Sequence, residues 1–328
     1  MTTISMRGRV HALMLLAAAP LALAAPAFAD DAFKVAIIMP GPISDNDFNA
    51  GGYNGLMAIK EQLGAEVAYS EQVPPADAER LMREYAANGF DLIFGHSFSY
   101  GDAALAVSED FPDVKFMANS SLKQTENVGG YFNPDYQGAY LTGMLSAGAS
   151  QSGVIGWVGG NPAPNMLANF HAWKAGAQDV NPEIKVMISW LGAWFDPPKA
   201  KEAAFAQVEQ GADVLSAQSV GVIDAAKEKG VLVIGAMSDQ SKFAPENVLT
   251  STLWDMAPVM TAVAQTVKDG TWESKNWIYG IKEGAISLAP FNGLDAKVRP
   301  EVLEAVKARQ AEIAAGTFEV PFDTSMVQ

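Results

Sequence analysis

The sequence predicts an α/β protein built of two Rossmann-like lobes with a ligand cleft between them. Three observations carry that reading. Short Val/Ile-rich runs alternate with stretches of helical period, as in parallel strands covered by helices on both faces. The chain has 328 residues, 49% of them hydrophobic and 18% charged, which is long enough for two domains and apolar enough for a sizeable core. One αβ unit also recurs: Ala87–Ser97 resembles Glu209–Ser219. Each copy places Gly at a helix end, then Asp, then a buried strand, then polar residues. Helices end on glycine in most αβ units, so the likeness weighs equally as common grammar and as repetition.

In chain order, residues 1–29 read as a secretory signal peptide. Arg7 and Arg9 form the positive start, Ala12–Ala25 the short apolar core interrupted by Pro20, and Ala27-Phe28-Ala29 the small-residue site before Asp30. Cleavage after Ala29 without lipid attachment, since the chain has no cysteine, gives a periplasmic protein. Phe33–Met39 is the first strand, followed by the turn-rich Pro40–Asp45 and a helix to about Leu63. Further strands are expected at Glu66–Tyr69, Asp91–Phe94, Val114–Ala118, Val154–Val158, Lys185–Trp190, Asp213–Ser216 and Val231–Ile234, with helices between most of them. The polar break at Ala149-Ser150-Gln151-Ser152 divides the chain. Lobe 1 is expected over 31–148 with a return through about 253–273, and lobe 2 over 149–252 with about 274–328. Helical period in Glu301–Ala315 does not choose a lobe.

Composition removes whole classes of function. With 37 acidic and 22 basic side chains, a formal charge of −15, the chain lacks the basic excess that nucleic acid or an anionic membrane surface requires. Without cysteine there is no disulfide, thiolate metal site or thiol nucleophile. Of the three histidines, His11 goes with the expected leader, and the two that remain, His96 and His171, argue against a His-based metal site. No phosphate loop and no GxSxG elbow is present. His171 falls on a helix and His96 at a strand end, where a hydrogen-bonding role outweighs work as a general base. No enzyme, metal or cofactor is expected.

Ligands of open α/β sheets bind beyond the carboxyl ends of the strands. Those positions carry Asp45, Phe48 and Asn49, then His96, Ser97, Phe98 and Tyr100, then Asn119, Asn165 and Asn169, then Trp194, Phe195 and Asp196, and finally Gln218, Ser219 and Asp239. The set holds aromatics, amides and a few carboxylates but no Lys or Arg. It suits a flat neutral ligand sandwiched by aromatic faces, each worth about 1–3 kcal/mol if nucleobase stacking is a guide. Each residue also has a plainer reading. Asp45 serves equally as a helix cap, Phe48 and Trp194 as core, Asp239 as a turn residue and Trp254 as hinge packing.

Several motifs together resemble the basic membrane protein family, the purine-nucleoside-receptor-like substrate-binding proteins of ABC transporters. They are Gly41-Pro42-Ile43-Ser44-Asp45-Asn46-Asp47-Phe48-Asn49, Gly95-His96-Ser97-Phe98-Ser99-Tyr100, Trp194-Phe195-Asp196-Pro197, Ser238-Asp239, Leu249-Thr250-Ser251 and Gly284–Pro290. The resemblance covers essentially all of residues 31–328. It implies a type I periplasmic-binding fold with three crossovers, and as partners a small-molecule ligand, a permease and its ATPase, the protein itself being a monomer. It also implies Phe48 and Trp194 as the two sides of a base-stacking clamp, Asp45 and Asn49 as polar contacts, and Asp239 where nucleoside-binding members hold the ribose. Where such members carry Lys shortly after Leu-Thr-Ser, this chain has Trp254, and His96 and Asn46-Asp47 also depart from the pattern. The implied ligand is therefore a purine-like heterocycle, a free base before a nucleoside. Alternatives are a nucleoside, a small sugar, or a periplasmic nucleoside hydrolase.

Overall fold

A computed structural model describes residues 1–3, 32–45, 48–120 and 123–327. All but the first three residues of the expected leader, its cleavage point after Ala29 and the Asn46-Asp47 pair lie outside the described residues. Among the described residues no helix is long and apolar enough to cross a membrane.

From Phe33 onward the chain builds two six-stranded sheets. The first contains β1 (Lys34–Ile38), β2 (Glu66–Ser70), β3 (Leu92–Gly95), β4 (Lys115–Asn119), β5 (Val128–Phe132) and β11 (Asn276–Ile278), in the order β11-β5-β4-β3-β1-β2. All its pairings are parallel. The second contains β6 (Val154–Gly159), β7 (Lys185–Trp190), β8 (Val214–Gln218), β9 (Leu232–Gly235), β10 (Val248–Trp254) and β12 (Ile286–Leu288), in the order β12-β10-β9-β8-β6-β7. Only the edge strand β12 runs antiparallel. Strands such as Lys34-Val-Ala-Ile-Ile38 are buried along nearly their whole length, as a sheet covered on both faces requires.

The helices fall on these sheets by their apolar faces. Helix α1 (Phe48–Leu63) and α8 (Ala257–Lys268) cover one face of the first sheet, where Leu56, Ile59, Val259, Met260 and Val263 share a core with Val35 and Ile37. Helices α2 (Ala78–Ala87) and α3 (Gly101–Ser108) cover the other. On the second sheet, α4 (Tyr136–Ala149), α5 (Pro164–Val180) and α9 (Pro300–Ala315) lie on one side, and α6 (Pro197–Glu209) and α7 (Val222–Lys229) on the other.

The chain passes between the sheets three times: between β5 and α4, between β10 and α8, and between β11 and β12. These points differ from the expected boundaries. The first lobe does not run to 148, because α4 packs into the second core; twelve of its fourteen residues are buried. A helix buried on every side shows no amphipathic stripe, so the break at Ala149–Ser152 marks a helix end rather than a lobe end. The return segment also extends past 273 to include β11, while Leu253 and Trp254 stay in the second sheet. Helix α9 is tied to α4 and α5 through Arg309, which bonds the Tyr140 hydroxyl and reaches Asp179 at 3.3 Å.

Candidate ligand site

The first group of predicted residues gathers where α1 meets the ends of β1 and β3. Asp45 stands just before α1. Its Oδ1 accepts from the Ala50 N–H at 2.9 Å, and its Oδ2 accepts from the Asn49 backbone N–H at 2.9 Å and from Asn49 Nδ2 at 2.6 Å. It is therefore the acceptor for orphan donors of the helix start. Asn49 Oδ1 in turn accepts from the Gly41 N–H at 3.0 Å. A side chain at Gly41 would meet Asn49 Nδ2 at 2.6 Å, so this turn needs glycine for space rather than for a left-handed backbone.

Phe48, at the first turn of α1, stacks on His96 with ring centroids 4.2 Å apart and on Trp254 at 5.2 Å. His96 and Trp254 are themselves 6.1 Å apart, so the three rings form a triangle rather than a column. His96 is fully buried, and Gly52 makes room for it, since a Cβ there would lie 2.7 Å from the ring. His96 Nε2 is 2.9 Å from the Phe48 carbonyl and Nδ1 is 2.7 Å from the Tyr131 hydroxyl. A carbonyl only accepts, so Nε2 carries the proton and Nδ1 accepts from Tyr131. Burial lowers the His96 pKa to about 4 and holds that of Tyr131 well above its usual value. Both ring nitrogens are thus committed to the protein, and His96 can offer only a ring face to a ligand.

The second group surrounds a small cavity on the cleft side of the second lobe, with room for about one water molecule (≈ 10 Å3 for the water's centre). Asn169, Gln218 and Trp254 line it together with Asp135, Thr142 and Met237. Asn169 Nδ2 donates to Asp135 Oδ2 at 2.6 Å. Gln218 Nε2 donates to Ser216 Oγ at 3.1 Å. Burial pushes the Asp135 carboxyl up to about 6, against the hydrogen bond from Asn169, which lowers it. Trp254, at the end of β10, belongs to both groups and joins them. No Lys or Arg lines the cavity.

The remaining predicted residues stand apart. Tyr100 is a core residue and not part of the lining: it is fully buried under α2, and its hydroxyl donates to the Val73 carbonyl at 2.6 Å. Ser97 accepts from the Ser99 N–H and starts the short turn that follows. Phe98 is exposed, with 76% of its surface accessible. Trp194 is 62% accessible and packs its edge near Gly160. With the Asn161 amide turned to satisfy both partners, its oxygen accepts from Trp194 Nε1 at 3.3 Å and its nitrogen donates to the Gly192 carbonyl at 3.2 Å. Asp239 is exposed and accepts from the Ser241 N–H at 3.0 Å, an Asx turn.

Sequence reasoning missed Asp135, Tyr131 and Asn161. The Asn133-Pro134-Asp135 triplet before α4 was the available signal for Asp135, but it counts as a strand-end loop only once β5 is recognised.

Two α/β lobes joined by three crossovers have the architecture of the type I periplasmic-binding class. A solved ABC transporter solute-binding protein from Conexibacter woesei DSM 14684 superposes with a TM-score of 0.76 at 27% identity, covering 89% of this chain and 99% of that one. The family model for PnrA-like ABC transporter substrate-binding proteins matches residues 32–318, and the chain belongs to that family. A purine-binding protein of Brucella abortus (strain 2308) is 35% identical over 292 residues, 88% of this chain and 83% of that protein. A Haloferax volcanii (strain DS2) protein, named as an ABC transporter glucose-binding protein, is 33% identical over 266 residues, 80% of this chain and 67% of that protein.

Proposed function

We propose that this protein binds a free purine base in the interlobe cleft and delivers it to an ABC permease without altering it. The observation that carries the reading is the chemistry of the joined site: a triangle of the Phe48, His96 and Trp254 rings beside a cavity lined by neutral amides, threonine hydroxyls, an indole and one carboxyl. Aromatic faces suit a planar heterocycle. The name of the Brucella relative points the same way.

Trp254 favours the base over the nucleoside. Its ring lies against Phe48 and takes up volume beside the cavity that a ribose would need. A phosphate is disfavoured more strongly, since burying a dianion beside Asp135 with no cation in the lining leaves its desolvation uncompensated. Trp194, exposed on the second lobe, supplies the second aromatic face when the lobes close on the ligand.

Isothermal titration with adenine, guanine, hypoxanthine, their nucleosides, adenosine monophosphate and glucose tests this. The expected order is base above nucleoside, with no monophosphate or glucose binding. In the same titration Trp194→Ala weakens base binding about ten- to a hundredfold. Preference for a nucleoside would remove the Trp254 argument, and preference for glucose would remove the purine reading.

A further inference from the structure

Asp135 lies in the first crossover, just ahead of α4, and faces Asn169 on α5. Asn169 is 4% accessible and lines the cavity. A carboxylate oxygen can only accept, so the 2.6 Å contact to Asp135 fixes which end of the amide is nitrogen. The amide oxygen is thereby turned away from Asp135. It is buried and has no hydrogen-bond partner among the described residues. On the same cavity the buried Nε1 of Trp254 is likewise without a partner among the described residues. Two residues that line the cavity therefore carry one unpaired acceptor and one unpaired donor, each costly to leave buried.

We infer that Asp135 and Asn169 are a specificity-determining pair. Asn169 Oδ1 accepts an N–H from the bound heterocycle, and Asp135 is the positioning residue that holds the amide in the orientation offering that acceptor. The inference rests on the purine reading above for the identity of the heterocycle. The ligand class it selects is a neutral heteroaromatic with a free N–H at the edge entering the cavity. A site built around an acceptor rejects an analogue that cannot donate to it, because the acceptor is then left unpaired.

The test is calorimetry with adenine and the series of singly N-methylated adenines on the full chain. In the wild type at least one methylated form binds about tenfold or more weakly than adenine. In Asn169→Ala that penalty collapses to near unity while the penalties at other nitrogens stay. Asp135→Leu reproduces the loss and adds nothing on the Asn169→Ala background. Asp135→Asn, which still accepts from the Asn169 amide, keeps the wild-type pattern. Thermal melts confirm that each variant is folded, and Asn169→Ser replaces Asn169→Ala if the latter is not. Identical methylation penalties in wild type and Asn169→Ala overturn the pair, whatever happens to melting temperature. A wild type that binds no adenine overturns the purine reading instead. The pair is then judged on the compound released from the purified protein, and undiminished retention of it by Asn169→Ala overturns the pair too. A wild type that binds no adenine and releases no compound overturns both.

Discussion

His96, fully buried, and Asp135, half-buried, are two titratable groups whose desolvation acts in opposite senses on stability. The folded chain holds His96 neutral, with a pKa of about 4 against an ordinary 6.5. The stability this contributes is present above about 6.5 and is lost as pH falls through 4, by roughly 3 kcal/mol in all. Asp135 is raised from 3.8 to about 6, so its contribution is fully present below 3.8 and is lost as pH rises through 6. Between about pH 4 and 6 the two slopes oppose each other. Asp135→Asn removes one of them, and urea midpoints measured from pH 7 down to 4 should then fall more steeply than in the wild type. In His96→Phe the slope should reverse, with the midpoint rising on acidification. An unchanged slope in either variant would show that other carboxylates govern the acid response. The sequence made His96 visible through its setting between Gly95 and Ser97 at a strand end. Its partner Tyr131 could not be found there, because the bond reaches past β4 from the end of β3 to β5, across thirty-five positions. Tyr100 sits beside the site in sequence but turns to the opposite face of the sheet, and adjacency along a loop does not reveal which face a side chain takes.

The helices α4 and α5 pack against one another more closely than side chains would permit. A Cβ at Gly143 would collide with the Trp173 carbonyl, and one at Gly176 with the Tyr140 carbonyl. The contact is reciprocal, so each helix presents a bare stretch of backbone to the other. Gly143→Ala and Gly176→Ala should each cost about 3 kcal/mol or more, the upper range for overpacking, because backbone rather than a flexible side chain stands in the way. Urea unfolding measures it, and a loss below about 1 kcal/mol would mean the helices can slide apart. Since Asn169 lies on α5 and Asp135 opens α4, the same close packing sets the distance across the cavity. The strands and helices that were legible in the sequence are those with a clear period, such as β1 and the runs at β3, β6 and β8. Those that were not had physical reasons to hide. Strand β5 contains Gly129-Gly130, which breaks any hydrophobic run, and β11 and β12 have three residues each. Their strand character comes from the neighbour they pair with, which a local reading cannot contain.

The three crossovers are joined to one another as well as to the lobes. Asn133 Nδ2 donates to the Asp255 carbonyl at 2.8 Å, linking the first passage to the second, and Gln137 Oε1 accepts from the Ile281 N–H at 2.9 Å, linking the first to the third. Asn133→Ala should cost about 1–3 kcal/mol, because it leaves that carbonyl unpaired beside buried structure. Hydrogen exchange should rise at residues 253–257 and 131–137 together, and a rise confined to one of them would separate the passages. The same wiring governs the chain while it is being made. Strand β5 has no outer neighbour until β11 arrives, long after the whole of the second sheet but its edge has been synthesised. A growing chain therefore carries an open parallel edge, a template for wrong pairing, from the completion of β5 at Phe132 until Asn276 is added. Neither lobe is a contiguous stretch that can finish early, and pairings so distant in sequence form slowly. A chain wired this way gains from remaining unfolded until its last segment has emerged, and on refolding it should complete both lobes together rather than one after the other.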